Sequence, residues 1–254
     1  MLVRTKIQIA MARRENIEHI MGPVRFQPVG IVIILVATAV AAQVPVTQEP
    51  RHRVVFETPE FRILDVRIPP GETTLDHTHE HDMVTVSMAG GAPTRTQLPG
   101  QAWTPVPARL PGDVVVEEHT GKSDRHLLQN VGDVPYQVFA VENLRPGNWT
   151  PGASLSAGGT TLTRESRAFR IYDVRLVPGM TQTFHVHAVP AIAVLISGRA
   201  MSAGAENKTA DPSAPIGLKQ LVQAGEWVLV PPGESHYLVR LGTGDVRLVE
   251  IEVR

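Results

Sequence analysis

FRILDVRIPPGETTLDHTH, residues 61 to 79, recurs without gaps as FRIYDVRLVPGMTQTFHVH, residues 169 to 187, with eleven of nineteen positions identical. Two unrelated β segments do not share that much, and self-similarity at a period of 108 residues marks a tandem duplication of one domain. Both copies keep Gly-x5-His-x-His, as Gly71, His77, His79 and as Gly179, His185, His187. Side chains at i and i+2 of a strand point to one face, so each histidine pair converges on one spot.

Two ligands do not make a stable metal site, and a third recurs further along. The stretch from His126 to Leu144 matches His236 to Arg254 without gaps, with Glu142 and Glu252 in register and Gly132 and Gly242 likewise. The second copy leads in with Gly225, a strand, Pro231-Pro-Gly233 and then His236; the first leads in from Gly112 through a longer, proline-free turn to His126. His77, His79 and His126, and separately His185, His187 and His236, are therefore the candidate ligand triads. The competing reading is a pair of buried, hydrogen-bonded histidine clusters.

Gly-x5-His-x-His followed by Gly-x5-Pro-x-Gly-x2-His resembles the two-part signature of the cupin superfamily, and two copies resemble a bicupin. The likeness covers residues 54 to 254 and is weakest at the second motif of the first copy, where His126 and Asn130 keep only the His-x3-Asn ending. It implies an all-β chain of two tandem cupin-type jelly-roll β-barrels packed together, each holding a divalent metal ion on its histidines, and a homodimer. One departure stands out. The glutamate of the family's first motif falls on Met83 in one copy and Ala191 in the other, neither an oxygen ligand. Glu80, His81 or Asp82 are substitutes in the first copy and nothing is in the second, so both sites read as three-histidine sites. Imidazole suits Fe(II), Zn, Ni and Cu; a neutral set without a carboxylate disfavours hard ions such as Mn, and Fe(II) is the expectation. Three-histidine cupin sites resemble those of some thiol and diketone dioxygenases. That makes an exported, metal-dependent, dioxygenase-like enzyme on a small organic molecule the first expectation. A non-catalytic metal or small-ligand binding or storage cupin is the alternative. A solvent-connected pocket beside a triad separates them; barrels plugged by Met83 or Phe184 favour the second.

Other residues invite weaker readings. His81 is either a fourth ligand or a turn residue. His119 sits in the irregular turn and is expected to face solvent. Arg240 is either a substrate-carboxylate clamp or a solvated strand residue, and Tyr237 a proton donor or packing. The repeated acid and arginine (Asp65 with Arg67, Asp173 with Arg175) read as cross-strand or domain-interface ion pairs.

Twenty-one glycines and twenty-one prolines between short Val/Ile-rich runs favour strands and turns. Val114 to Val116, Trp227 to Val230 and Val84 to Met88 read as strands. Without cysteine there is no disulfide framework, thiolate ligand or thiol nucleophile. Residues 1–41 read as a secretory signal, with an apolar run over 29–42 too short to span a bilayer and a small-residue cleavage site at Ala39-Val-Ala41. A start at Met21 would give a more ordinary signal, and an uncleaved anchor is the alternative. Removing 1–41 takes five basic and two acidic residues from totals of 24 and 25, which leaves an acidic chain with no basic run, against nucleic-acid binding. The expected product is periplasmic or secreted, with no stable membrane insertion and a small-molecule ligand or substrate as partner. Its parts are a lead over 43–53, one barrel over 54–144, a connector over 145–163 and a second barrel over 164–254. Sequons start at Asn148 and Asn207.

Overall fold

The computed structural model describes residues 43–145, 154–204 and 219–254, all within one compact unit. The proposed signal segment, both sequons, Trp149 and parts of the connector and of the second proline-bearing loop lie outside the described residues. The described chain is all-β apart from one 3-10 turn, Val46–Gln48. The first copy carries β1 (Val44–Pro45), β2 (His52–Glu57), β3 (Phe61–Ile68), β4 (His77–His79), β5 (Met83–Ser87), β6 (Thr94–Gln97), β7 (Thr104–Val106), β8 (Val114–Glu117), β9 (Asp124–Asn130) and β10 (Tyr136–Asn143). The second carries β11 (Thr160–Glu165), β12 (Phe169–Leu176), β13 (His185–Val186), β14 (Ala191–Ser197), β15 (Ala200–Gly204), β16 (Lys219–Leu221), β17 (Trp227–Val230), β18 (Ser235–Arg240) and β19 (Val246–Val253).

Each copy folds its strands into two facing sheets, and the duplication is kept in the strand order. β2-β3-β10-β5-β8 corresponds to β11-β12-β19-β14-β17, and β4-β9-β6-β7 to β13-β18-β15-β16. Only β1 has no counterpart among the described residues: it pairs parallel to β4, Val44 opposite His77. Strand parity sorts the repeated FRI-x-DVR segment. In β3, Leu64, Val66 and Ile68 join the interior of the first copy, while Phe61 and Ile63 face the second. In β12, Val174 and Leu176 point inward, while Phe169 and Ile171 face the first copy. One apolar cluster thus runs through both copies, and Trp227 seals its edge against Phe56 and Phe139 at 5.5 and 6.3 Å between ring centroids.

The repeated acids lie mid-strand, Asp65 opposite Arg53 and Phe139, and Asp173 opposite Thr161 and Val249. Asp65 pairs with Arg53 and Arg67, and Asp173 with Arg175 and Arg247. The pairs Arg53–Asp65 (β2 to β3) and Arg247–Asp173 (β19 to β12) run between neighbouring strands, and Arg247 also donates to Pro111 O (2.9 Å) and Gly112 O (3.3 Å) of the first copy.

Candidate metal centres

The Gly-x5-His spacing works through the turn after β3 and β12. Gly71 (φ 77°) and Gly179 (φ 83°) occupy the left-handed region that residues with a Cβ avoid. In the first copy Gly71 N and Asn130 O are 3.0 Å apart and Asn130 N donates to Glu72 O, which pins the turn to β9. The next segment then pairs antiparallel, His77 opposite His126 and, in the second copy, His185 opposite His236. Directly opposed residues of an antiparallel pair face the same side, which brings the third histidine of each motif to the first.

In the second copy the triad closes tightly. His187 Nε2 lies 3.0 Å from His236 Nε2, and the His185 and His236 rings are 4.2 Å apart. All three residues are buried. A carboxylate joins them, contrary to the three-histidine expectation: Glu250, fully buried on β19, has Oε1 3.8 Å from Nε2 of both His185 and His236. Ligand atoms of His185, His187, His236 and Glu250 lie mutually within 4.8 Å. Glu250 pairs across the sheet with Ala193, so the oxygen donor absent from β14 comes from the neighbouring strand. Behind the cluster, His185 Nδ1 bonds Thr183 O (2.9 Å), His187 Nδ1 bonds Glu252 Oε1 (2.8 Å) and Gln182 Nε2 donates to Glu250 Oε2 (3.2 Å).

The first copy differs. His77 Nε2 lies 3.1 Å from His79 Nε2, and His126 stands against both rings at 4.7 and 5.3 Å. The nitrogens mutually within 4.8 Å are those of His77, His79 and His52, a residue that sequence reasoning left in the lead segment. His52 arrives on β2, its ring 4.6 Å from that of His77, and its Nδ1 is held by Glu49 (2.7 Å). His126 Nδ1 is bonded to Asp124 (2.9 Å). His119, expected in solvent, is instead buried and stacks on His79 at 5.6 Å, because the longer turn folds inward. Of the substitute oxygen ligands, Asp82 accepts from His119 N and Thr120 N and pairs with Arg167, Glu80 is exposed, and His81 lies in the bend beyond β4. Asn130 bonds Ile68 O and Val134 O, a structural post. Arg240 donates to Gly242 O in its own turn, and Tyr237 packs on exposed Phe184 at 4.2 Å.

Burial, then the neighbouring imidazoles, pushes His77 down to about 3 and His236 to about 2, so both are neutral lone-pair donors at neutral pH. Burial pushes Glu250 up to about 6. His185 Nε2 and Glu250 Oε1 are buried without a hydrogen-bond partner. Buried polar atoms are rarely left so, and unprotonated nitrogens converging tip to tip fit a divalent ion. A cavity of about 340 Å³ lies inside the first copy beside His52, His79 and His126, with Arg109, Glu117 and Tyr136 on its wall. Met83 lines this cavity without filling it, and exposed Phe184 plugs nothing.

Comparison with known proteins bears on the fold. No protein-family profile matches the sequence, and no curated protein matches it. Among solved structures the chain is similar to a salicylate 1,2-dioxygenase from Pseudaminobacter salicylatoxidans (TM-score 0.56, 11% identity, 80% of this chain and 77% of that one). It is also similar to a variant oxalate decarboxylase from Bacillus subtilis (TM-score 0.54, 14% identity, 80% and 72%). A third is a cupin 2 conserved barrel domain protein from Leptotrichia buccalis (TM-score 0.50, 12% identity, 80% and 88%).

Proposed function

We propose that this all-β, cupin-fold chain is an exported metal-dependent enzyme of dioxygenase-like type, acting on a small organic acid in its first copy. The observation that carries this reading is the cavity beside His52, His79 and His126, with the Arg109 guanidinium on its wall. A planar guanidinium matches a carboxylate bidentately, and Arg109 Nη1 is steadied by Thr85 Oγ1 at 3.3 Å. Two of the similar structures are named for enzymes of carboxylate compounds, salicylate and oxalate, in keeping with that substrate class.

The histidines of each copy would hold a divalent ion, Fe(II) being the expectation from sequence, with Zn, Ni and Cu as the other members of the series. Bound there, the ion supplies Lewis-acid and redox chemistry and lowers the pKa of bound water. The chain's residues do the rest: Arg109 orients the acid, Thr85, Thr94 and Thr96 offer hydroxyls along the wall, and Leu128 and Val138 exclude water from one side. Glu117, held in its anionic form chiefly by His119 against the burial that opposes it, is placed to accept a proton. The second copy, with its donors enclosed, supports the runner-up role of a non-catalytic metal-binding module. Export rests on the apolar run over 29–42, and among the described residues no helix is long and apolar enough to cross a membrane. A homodimer remains part of the proposal.

The test is oxygen uptake by chain loaded with Fe(II), Cu(II), Zn or Ni against a panel of small aromatic and aliphatic acids. Turnover with at least one pair, with KM raised tenfold or more by Arg109→Ala, is the expected result. Metal binding without turnover on any acid would leave the binding-module reading.

A further inference from the structure

We propose that the two copies are built for different ions: the first completes its site with His52 and offers only nitrogen, and the second completes its site with Glu250 and offers nitrogen and oxygen. The inference rests on reading both clusters as metal centres, and it specifies them further. The first site then takes ions that favour imidazole, with Cu(II) foremost, and the second takes ions that favour a carboxylate, with Mn(II) foremost.

The registers carry the assignment. His52 lies opposite Val66 on β3, and Thr160 lies opposite Val174 on β12, so Thr160 stands in the second copy where His52 stands in the first. Glu250 lies opposite Tyr172 and Ala193, and Ala140 lies opposite Leu64 and Thr85, so Ala140 stands where Glu250 does. Each copy therefore has its extra donor where the other has a small side chain without one. The surroundings have followed. Thr160 Oγ1 accepts from Gln182 Nε2 (2.8 Å), and the same amide nitrogen reaches Glu250, so the residue at the position equivalent to His52 helps hold the carboxylate. Thr74, the counterpart of Gln182, receives Leu128 N as Gln182 Oε1 receives Leu238 N, but has no reach into the site.

In the first copy the backing is specific to His52. Glu49, buried at 2% exposure, accepts from the imidazole, from Arg51 N (2.7 Å) and from Leu75 N (3.2 Å), tying the donor to the turn before β4. No carboxylate enters the compact donor group there. Glu142, the counterpart of Glu252, stands 3.7 Å behind His79 Nδ1 and is bound by Arg62 (2.8 Å). The net charge of the donors differs accordingly: neutral in the first site, one negative charge in the second when Glu250 is ionised.

The experiment loads metal-free full chain at pH 7.5 with one equivalent of Cu(II) and excess Mn(II), followed by elemental analysis and electron paramagnetic resonance. The expected result is one copper and one manganese per chain, with nitrogen superhyperfine structure in the copper spectrum that changes in His52→Ala. Glu250→Gln should abolish manganese retention and leave the copper spectrum unchanged. His52→Ala should weaken copper binding tenfold or more and leave manganese in place, with circular dichroism reporting that each variant is folded. Copper distributed over both sites, or either variant affecting both ions alike, would overturn the proposal. Retention of no ion at all would instead remove the metal-centre reading on which it stands.

Discussion

His77 and His236 remain neutral far below the ordinary histidine range because burial opposes their charge. In the unfolded chain both take up protons as pH falls through about 6.5. The folded, metal-free chain does not follow until about pH 3 and 2. The unfolded state then binds more protons, so stability present above pH 6.5 is lost on acidification, by roughly 1 kcal/mol per group for each pH unit. Glu250 has the opposite sign: raised to about 6 from 4.5, it contributes stability that is full below 4.5 and lost as pH rises through 6. Chelator-treated protein should therefore lose stability gently from pH 6 to 4.5, where Glu250 offsets part of the loss, and steeply below. Glu250→Gln should raise metal-free stability at pH 7 by roughly 2 kcal/mol and remove the gentle limb. Chemical denaturation between pH 4 and 8 measures both; an unchanged curve in the variant would contradict the assignment.

Among the elements, β1 and its 3-10 turn are the addition that sets the first copy apart, and Glu49 is their anchor. Glu49→Ala leaves the buried His52 ring and two backbone N–H groups without an acceptor, a loss of about 1–3 kcal/mol. The expected outcome is faster hydrogen exchange over 43–54 and weaker metal binding in the first copy alone; slowed or unchanged exchange would count against the anchor. This element also shows what could be read in the chain beforehand. The two triads were legible because duplication and strand parity both point at the same histidines. His52 was not, since it precedes the repeated segment and meets the site only through a pairing with β3 that shifts register between Val54 and Phe56. His119 was misread as solvent-facing because an irregular turn gives no parity to follow. Glu250 was readable in principle: it shares parity with Leu248 in β19 and, with Glu252, puts a carboxylate on the row that begins with Val246 and Leu248 and faces the interior.

In the whole molecule, the two copies share one apolar cluster, so neither half is independent. Asn143 of the first copy donates to Ala168 O (3.1 Å) and Arg254 O (2.7 Å) of the second, closing the polar end of the same contact. Ile251→Ala, a truncation inside the cluster, should cost about 2–5 kcal/mol and lower a single calorimetric transition; two separated transitions would show that the copies unfold independently. The strand that carries Ile251 has a consequence of its own. Along β19, Val249, Ile251 and Val253 belong to the partner copy's packing, while Leu248, Glu250 and Glu252 belong to the interior and its histidines. A strand usually has one side on which mutation can wander. Here both sides are spoken for, and a slip of one residue would bring carboxylates into the hydrophobic contact and valine into the donor set. In a saturation-mutagenesis map of the chain, this stretch should be the least permissive of all, with intolerance that does not alternate along the strand.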